Sequence, residues 1–264
     1  MSRPSDLERL RLFLKTLKLP SFALDAEAVA RIATEEGWSY ERFLAELCER
    51  EVADRQERRI ERLLRQSGLP LEKTKETLDA SKLTAKVRKQ LGALYEGGFI
   101  EHGENVLAFG LPGRGKTHAL CAVGHELVRQ GRSVLFLPAF KLVQRLLIAK
   151  RELELERAIK RLDRFEAVLI DDIGYVQQDR EEIEVLFTFL SARYERRSVM
   201  ITSNLVFSQW ERIFKDPMTT ACAIDRLVHH ATILELTGSS YREEEAKRRN
   251  RRTTKKPKNE EEEK

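Results

Sequence analysis

The chain has 264 residues, 41% hydrophobic and 34% charged, with 48 Lys and Arg against 43 Asp and Glu for a net charge of +5. That apolar share can fill a packed core, which excludes wholesale disorder, and no run of about 18 apolar residues exists to span a membrane. Cys48, Cys121 and Cys222 are odd in number and far apart, which excludes a disulfide framework or a zinc knuckle and fits a reducing cytoplasm.

The opening segment is charged throughout and lacks the apolar stretch of a secretory signal. Leu7, Leu10, Leu14 and Leu17 recur at helical spacing until Pro20 breaks the run. Asp25 is expected to open a second helix with Ala28, Val29, Ile32 and Ala33 on one stripe. Ser39 precedes a third and longer one, which carries a basic stripe from Arg55 to Arg65 and ends at Ser67-Gly68-Leu69-Pro70. Residues 1–66 thus read as a small all-α domain, with 67–82 a linker.

From residue 83 the pattern changes. A helix from Lys82 to Phe99 precedes the apolar run Asn105–Phe109, a glycine loop and a helix from Ala119 to Gln130. Ser133–Leu137 is a second strand, Phe140–Arg161 a long amphipathic helical stretch, and Ala167–Ile170 a third strand. A helix over Glu181–Arg193 separates it from Ser198–Thr202, and Thr232–Leu236 is the fifth strand. Fully apolar strands alternating with helices indicate an α/β domain over 83–246, its central parallel sheet covered on both faces. Residues 247–264 carry nine basic and four acidic side chains, so the whole net charge belongs to a tail expected to be disordered.

Gly110-Leu-Pro-Gly113-Arg114-Gly115-Lys116-Thr117 satisfies the phosphate-loop pattern between a strand and a helix. Its glycines let backbone N–H groups wrap phosphates, and the helix N-terminus adds a favourable dipole. Lys116 is expected on the β and γ phosphates of ATP and Thr117 on Mg2+. The strand that ends in Asp171-Asp172 supplies a carboxylate for the metal, Asp171, and one to polarise the attacking water, Asp172. Asn204, at the end of the next apolar strand, suits a contact to that water or to the γ-phosphate. Between Lys141 and Arg164, eight basic residues face four acidic ones. Lys141, Arg145, Lys150 and Arg151 are candidate contacts to nucleic-acid phosphates, Lys150 and Arg151 being the least paired by local spacing. His229-His230 has no third metal ligand at sequence spacing.

Several segments carry the pattern through and beyond the phosphate loop: Gly110–His118, Ile170-Asp-Asp-Ile-Gly-Tyr175, Arg193-Tyr-Glu-Arg196, Ile201-Thr-Ser-Asn204, Phe207-Ser-Gln-Trp210, Ile224-Asp-Arg-Leu-Val-His-His230 and Gly238-Ser-Ser-Tyr-Arg242, the last two being much more specific than the loop alone. In this order they resemble IstB-type transposition helper ATPases, in the IstB/DnaC branch of the AAA+ superfamily. The resemblance extends into the helical part through Gly37–Leu44. It implies an AAA+ P-loop core, a nucleotide held between subunits of a homo-oligomer, and His118 among the loop residues at the nucleotide. Arg226 matches the arginine finger that reaches a neighbour's γ-phosphate, and Arg242 the second-sensor arginine. It also implies largely sequence-independent duplex DNA binding and an IstA-type transposase as partner, with the N-terminal helices as the docking module. Asp172 stands where many AAA+ proteins have Glu, and Arg114 where Thr is more usual. A DnaC-like helicase loader that binds single strands shares the core, and a non-assembling P-loop enzyme would not need Arg226.

Overall fold

The computed structural model describes residues 5–175, 180–210, 213 and 217–237. The chain forms two compact units, residues 1–62 and 63–264.

The first unit is helical. Helix α1 (Asp6–Thr16) opens on a capping box: Ser5 accepts the Glu8 N–H while Glu8 accepts the Ser5 N–H. Helix α2 begins at Pro20 and runs to Glu35, five residues earlier than Asp25. Pro20 ends nothing here, because a proline at the first helical position has no N–H to lose. Helix α3 spans Tyr40–Ser67. Leu14, Val29 and Leu47 form the small core. Glu51 is buried with them, accepts the Ser21 N–H at 2.9 Å and pairs with Arg55 at 2.7 Å. Burial pushes its carboxyl up, but the bonds from Arg55 and from backbone N–H groups win and hold it below the ordinary range. Part of the basic stripe of α3 is therefore structural: Arg55 and Arg58 both meet Glu51. Leu7, Leu10, Leu12, Phe13 and Leu17 of α1 stay exposed.

The second unit is built on a five-stranded parallel sheet in the order β2-β3-β4-β1-β5. The strands are β1 (Asn105–Phe109), β2 (Val134–Pro138), β3 (Ala167–Asp171), β4 (Ser198–Ser203) and β5 (Ala231–Glu235). β1 and β4 are buried along their whole length, as continuous apolar runs in a covered parallel sheet must be. Helices α4 (Ala85–Tyr95) and the single turn α5 (Gly98–Glu101) precede β1, where one helix over Lys82–Phe99 was expected. Gly97 sits at φ +79° between them and breaks the run.

Helix α6 (Lys116–Arg129) follows the glycine loop and is buried along most of its length. Helices α7 (Ala139–Arg151) and α8 (Leu155–Leu162) replace the expected continuous stretch from Phe140 to Arg161. Leu153, at φ +59°, reverses the chain there without a glycine or proline. The Leu153 and Glu154 N–H groups close the end of α7 on the Lys150 and Ala149 carbonyls. Helix α9 (Arg180–Arg193) precedes β4, and α10 (Pro217–Val228) precedes β5.

Residues 67–82 are not a free linker. They lie along α6, with His125 Nε2 3.0 Å from the Pro70 carbonyl and Arg129 paired to Glu76 at 2.9 Å. A Cβ on Gly124 would stand 3.0 Å from Leu69, so this helical glycine makes the space that the buried Leu69 fills. At the sheet base the buried Asn105 is a hub. Its Nδ2–H donates to the Leu227 carbonyl, its Oδ1 accepts the Val199 N–H, and its own N–H donates to the His230 carbonyl at 2.8 Å.

Candidate functional site

In the sheet order, β4 lies between β1 and β3. The register pairs Phe109 with Ser203 and Ile170 with Ile201, so the ends of all three strands come together at one edge of the sheet. Ligands of open parallel sheets bind at this carboxyl edge.

The glycine loop leaves β1 here. Gly113 and Gly115 have φ of +77° and +85°, a left-handed backbone that a side chain would strain. Gly110 is fixed differently: a Cβ on it would stand 2.4 Å from the Leu236 carbonyl oxygen. The Lys116 ammonium is turned into the loop and donates to the Gly110 and Leu111 carbonyls at 2.7 and 3.1 Å. Arg114 is half-buried in the loop. His118 faces away from it. Its Nε2 lies 3.0 Å from both the Thr74 carbonyl and Thr77 Oγ1, and burial lowers its pKa.

Asp171 Oδ1 accepts the Thr117 hydroxyl at 2.7 Å. The pair expected to share a metal is thus already in contact, and its all-oxygen donor set suits Mg2+. Thr202 of β4 completes the arrangement; its segment, Ile201–Asn204, is marked in the sequence, but nothing there gives this residue a role. Its hydroxyl donates to the same Asp171 oxygen at 2.7 Å and accepts the Asp172 N–H at 2.8 Å. One side chain therefore positions both acids. Asp172 itself has φ +62°, which this hydrogen bond helps to hold. Replacing Thr202 with valine keeps the shape and removes both bonds. We expect ATP hydrolysis to fall about tenfold, with a raised Mg2+ requirement, in phosphate-release assays across a Mg2+ titration.

Asn204 follows β4. Its Oδ1 is shut from water and, among the described residues, has no hydrogen-bond partner. A Cβ on Gly174 would stand 2.3 Å from that oxygen, so glycine at 174 makes room for Asn204. Trp210, fully buried, packs on Phe109 and donates its indole N–H to the Leu205 carbonyl at 3.2 Å behind this turn.

Arg226 is not brought to its own phosphate loop. On α10, it donates to Ser191 Oγ and lies over the Phe187 ring, 5.0 Å from its centroid, both on α9. Of the basic residues expected at DNA, Lys141 and Arg145 are exposed on α7 and, among the described residues, have no ion-pair partner. Lys150 and Arg151 are not the least paired: Lys150 bonds Glu184 at 2.8 Å and Arg151 meets Glu181 at 4.0 Å. The acids come from α9, which sequence spacing along α7 does not reveal. His229 and His230 likewise gain a third partner, Glu195, from beyond α9. Arg242, the Gly238–Arg242 segment and the 247–264 tail lie outside the described residues.

A family described as IstB-like ATP binding protein matches residues 13–250. An insertion-sequence ATP-binding protein of Sinorhizobium fredii is 45% identical over 238 residues, covering 90% of this chain and 80% of its own. The insertion sequence IS21 ATP-binding protein of Pseudomonas aeruginosa is 36% identical, covering 89% of each. Among solved structures, AMPPCP-bound DnaA from Aquifex aeolicus superposes with a TM-score of 0.53 at 15% identity, over 71% of this chain and 57% of that one. DnaI does so with a TM-score of 0.52 at 20% identity, over 65% and 96%. Those likenesses concern the fold.

Proposed function

The chain belongs to the IstB-like ATP-binding protein family, and from that membership we propose that it drives transposition by assembling with ATP on duplex target DNA and recruiting and stimulating a transposase of IstA type. Its AAA+ P-loop core makes it an ATPase, and its relatives tie that activity to insertion sequences. In this reading Gly113, Arg114, Gly115 and Lys116 hold the phosphates of ATP, and Thr117 with Asp171 holds Mg2+. Asp172 polarises the attacking water and Asn204 binds it or the γ-phosphate. Bound there, Mg2+ would neutralise phosphate charge.

The observation that carries the assembly is the placement of Arg226. Among the described residues its guanidinium meets Ser191 and Phe187 and no part of its own phosphate loop. A finger of this kind completes a neighbour's site, so hydrolysis waits for assembly. Arg242 is assigned to the nucleotide of its own subunit. The DNA contact centres on Lys141 and Arg145 of α7, with Lys150 and Arg151 joining only by leaving Glu184 and Glu181. No base-reading element is present in this patch, so binding is to the backbone. The exposed apolar face of α1 suits the transposase or another subunit. The cytoplasm is its place of action.

Imaging of the protein with ATP and duplex DNA, paired with ATPase assays, tests this. We expect ATP-dependent oligomers on the duplex, and in Arg226→Ala normal ATP binding with hydrolysis reduced about a thousandfold. A chain that stays monomeric with ATP and duplex, or an Arg226→Ala protein with full turnover, overturns the proposal. Preference for single strands with capture of a helicase points to the loader instead.

A further inference from the structure

Two segments singled out in the sequence, Arg193–Arg196 and Ile224–His230, have no part in the nucleotide chemistry apart from Arg226. The fold brings them together at the base of the sheet, at the opposite ends of the strands from the phosphate loop. Glu195 Oε1 lies 3.8 Å from His229 Nδ1 and 3.8 Å from His230 Nε2. The three ligand atoms all fall within 4.8 Å of one another. The histidine rings are 4.0 Å apart, centroid to centroid. We propose that Glu195, His229 and His230 form a three-ligand site for a divalent transition metal of the Zn2+ class.

The chemistry selects that class. Two imidazoles and one carboxylate suit Zn2+, Co2+ or Ni2+, whereas Mg2+ and Ca2+ take oxygen ligands. At about 2.0–2.1 Å from a tetrahedral ion, ligand atoms stand about 3.3–3.4 Å apart, so the two separations of 3.8 Å close by about half an ångström and the third, within 4.8 Å, by at most about one and a half. The side chains are half-exposed and open to a fourth ligand from solvent.

The backbone holds both carriers in place. Asn105 bonds the His230 carbonyl and the Leu227 carbonyl on one side, and the Val199 N–H at the start of β4 on the other. Glu195 is held in a left-handed turn at φ +56°, against Gly103, where a Cβ would meet its carbonyl carbon at 3.2 Å. The Tyr194 hydroxyl lies 2.9 Å from His229 Nδ1. A metal at His229 Nδ1 would displace this hydroxyl. A metal here clamps the end of α10 to the end of α9, one helical turn from Arg226 and its Ser191 partner.

Titration of the full chain with Co2+, followed by visible absorption, tests the site. We expect one ion per chain with tetrahedral bands, displaced by Zn2+, and affinity at least about tenfold lower in Glu195→Gln and in His230→Asn. Cys48 and Cys222 are exposed thiols, so the Cys48→Ser/Cys222→Ser protein must give the same complex. A complex that vanishes with the cysteines, or that is equally tight in both ligand variants, overturns the proposal and leaves an ion pair only. Should a variant lose its fold by circular dichroism, imidazole nitrogen resonances of the unsubstituted chain decide. Zn2+ shifts at two of the five histidines support the site, and none overturns it.

Discussion

Lys116→Ala should lose ATP hydrolysis by a factor of about a hundred or more, and nucleotide affinity with it. The ammonium is almost fully buried and held by two loop carbonyls, from Gly110 and Leu111. In the proposed phosphate site those bonds hold a cation close to the triphosphate, so binding ATP would need only a short swing from carbonyl to phosphate. Alanine removes the charge and leaves the loop backbone as it is. The two carbonyls stand at an open loop, Leu111 being exposed, and water can take over their bonds. The melting temperature should therefore move by a few degrees at most, while fluorescent-nucleotide titration and phosphate release both collapse. A variant with near-normal turnover would remove Lys116 from the phosphate site.

Arg193→Ala should be the opposite case, a large loss of stability in a residue that touches no ligand. Arg193 closes α9 and is fully buried. Its guanidinium donates to the carbonyls of Leu162, Phe165, Glu166 and Ser198 and pairs with Asp163 at 3.3 Å. Burial drags its pKa down to about 10, against the pull of Asp163, so the group is still charged at neutral pH. One planar fork thereby ties the end of α8 and the strand starts of β3 and β4 together. Alanine takes a donor from four carbonyls, of which Leu162 and Glu166 keep a backbone N–H, leaves Asp163 only its longer pair with Arg196 at 3.7 Å, and opens a cavity. We expect a cost of about 3–5 kcal/mol, and a fall in melting temperature of about 10 °C, measured without nucleotide. Arg193→Lys should recover little of it, because an ammonium cannot span the same acceptors.

The phosphate loop, the two acids and the five strands were legible because each is written in adjacent residues: glycines at fixed spacing, or an apolar run that ends in polar groups. What was not legible depends on which strand lies beside which. Thr202 acquires its role only because β4 is inserted between β1 and β3. Lys150 and Arg151 looked unpaired because their acids, Glu184 and Glu181, arrive on α9, more than thirty residues away for Lys150. The break at Leu153 carries no glycine or proline and so left no mark in the periodicity. Pro20 was read as a stop because proline ends a helix far more visibly than it begins one. His118 falls inside a motif that implies nucleotide, yet its ring serves the strap of residues 67–82.

Gly110 has a consequence for how such chains lose function. The first glycine of a phosphate loop is ordinarily read as a mark of phosphate. Here the space for a side chain at 110 is taken by the Leu236 carbonyl, and Leu236 donates its own N–H to Phe109. The position belongs to the pairing of β1 with β5, and its glycine is demanded whether or not ATP ever binds. A copy of this protein released from selection for catalysis is then free to drift at Lys116, while Gly110 stays for as long as the sheet folds. In a degenerate insertion sequence, a surviving glycine at this position reports an intact scaffold and says nothing of a working motor.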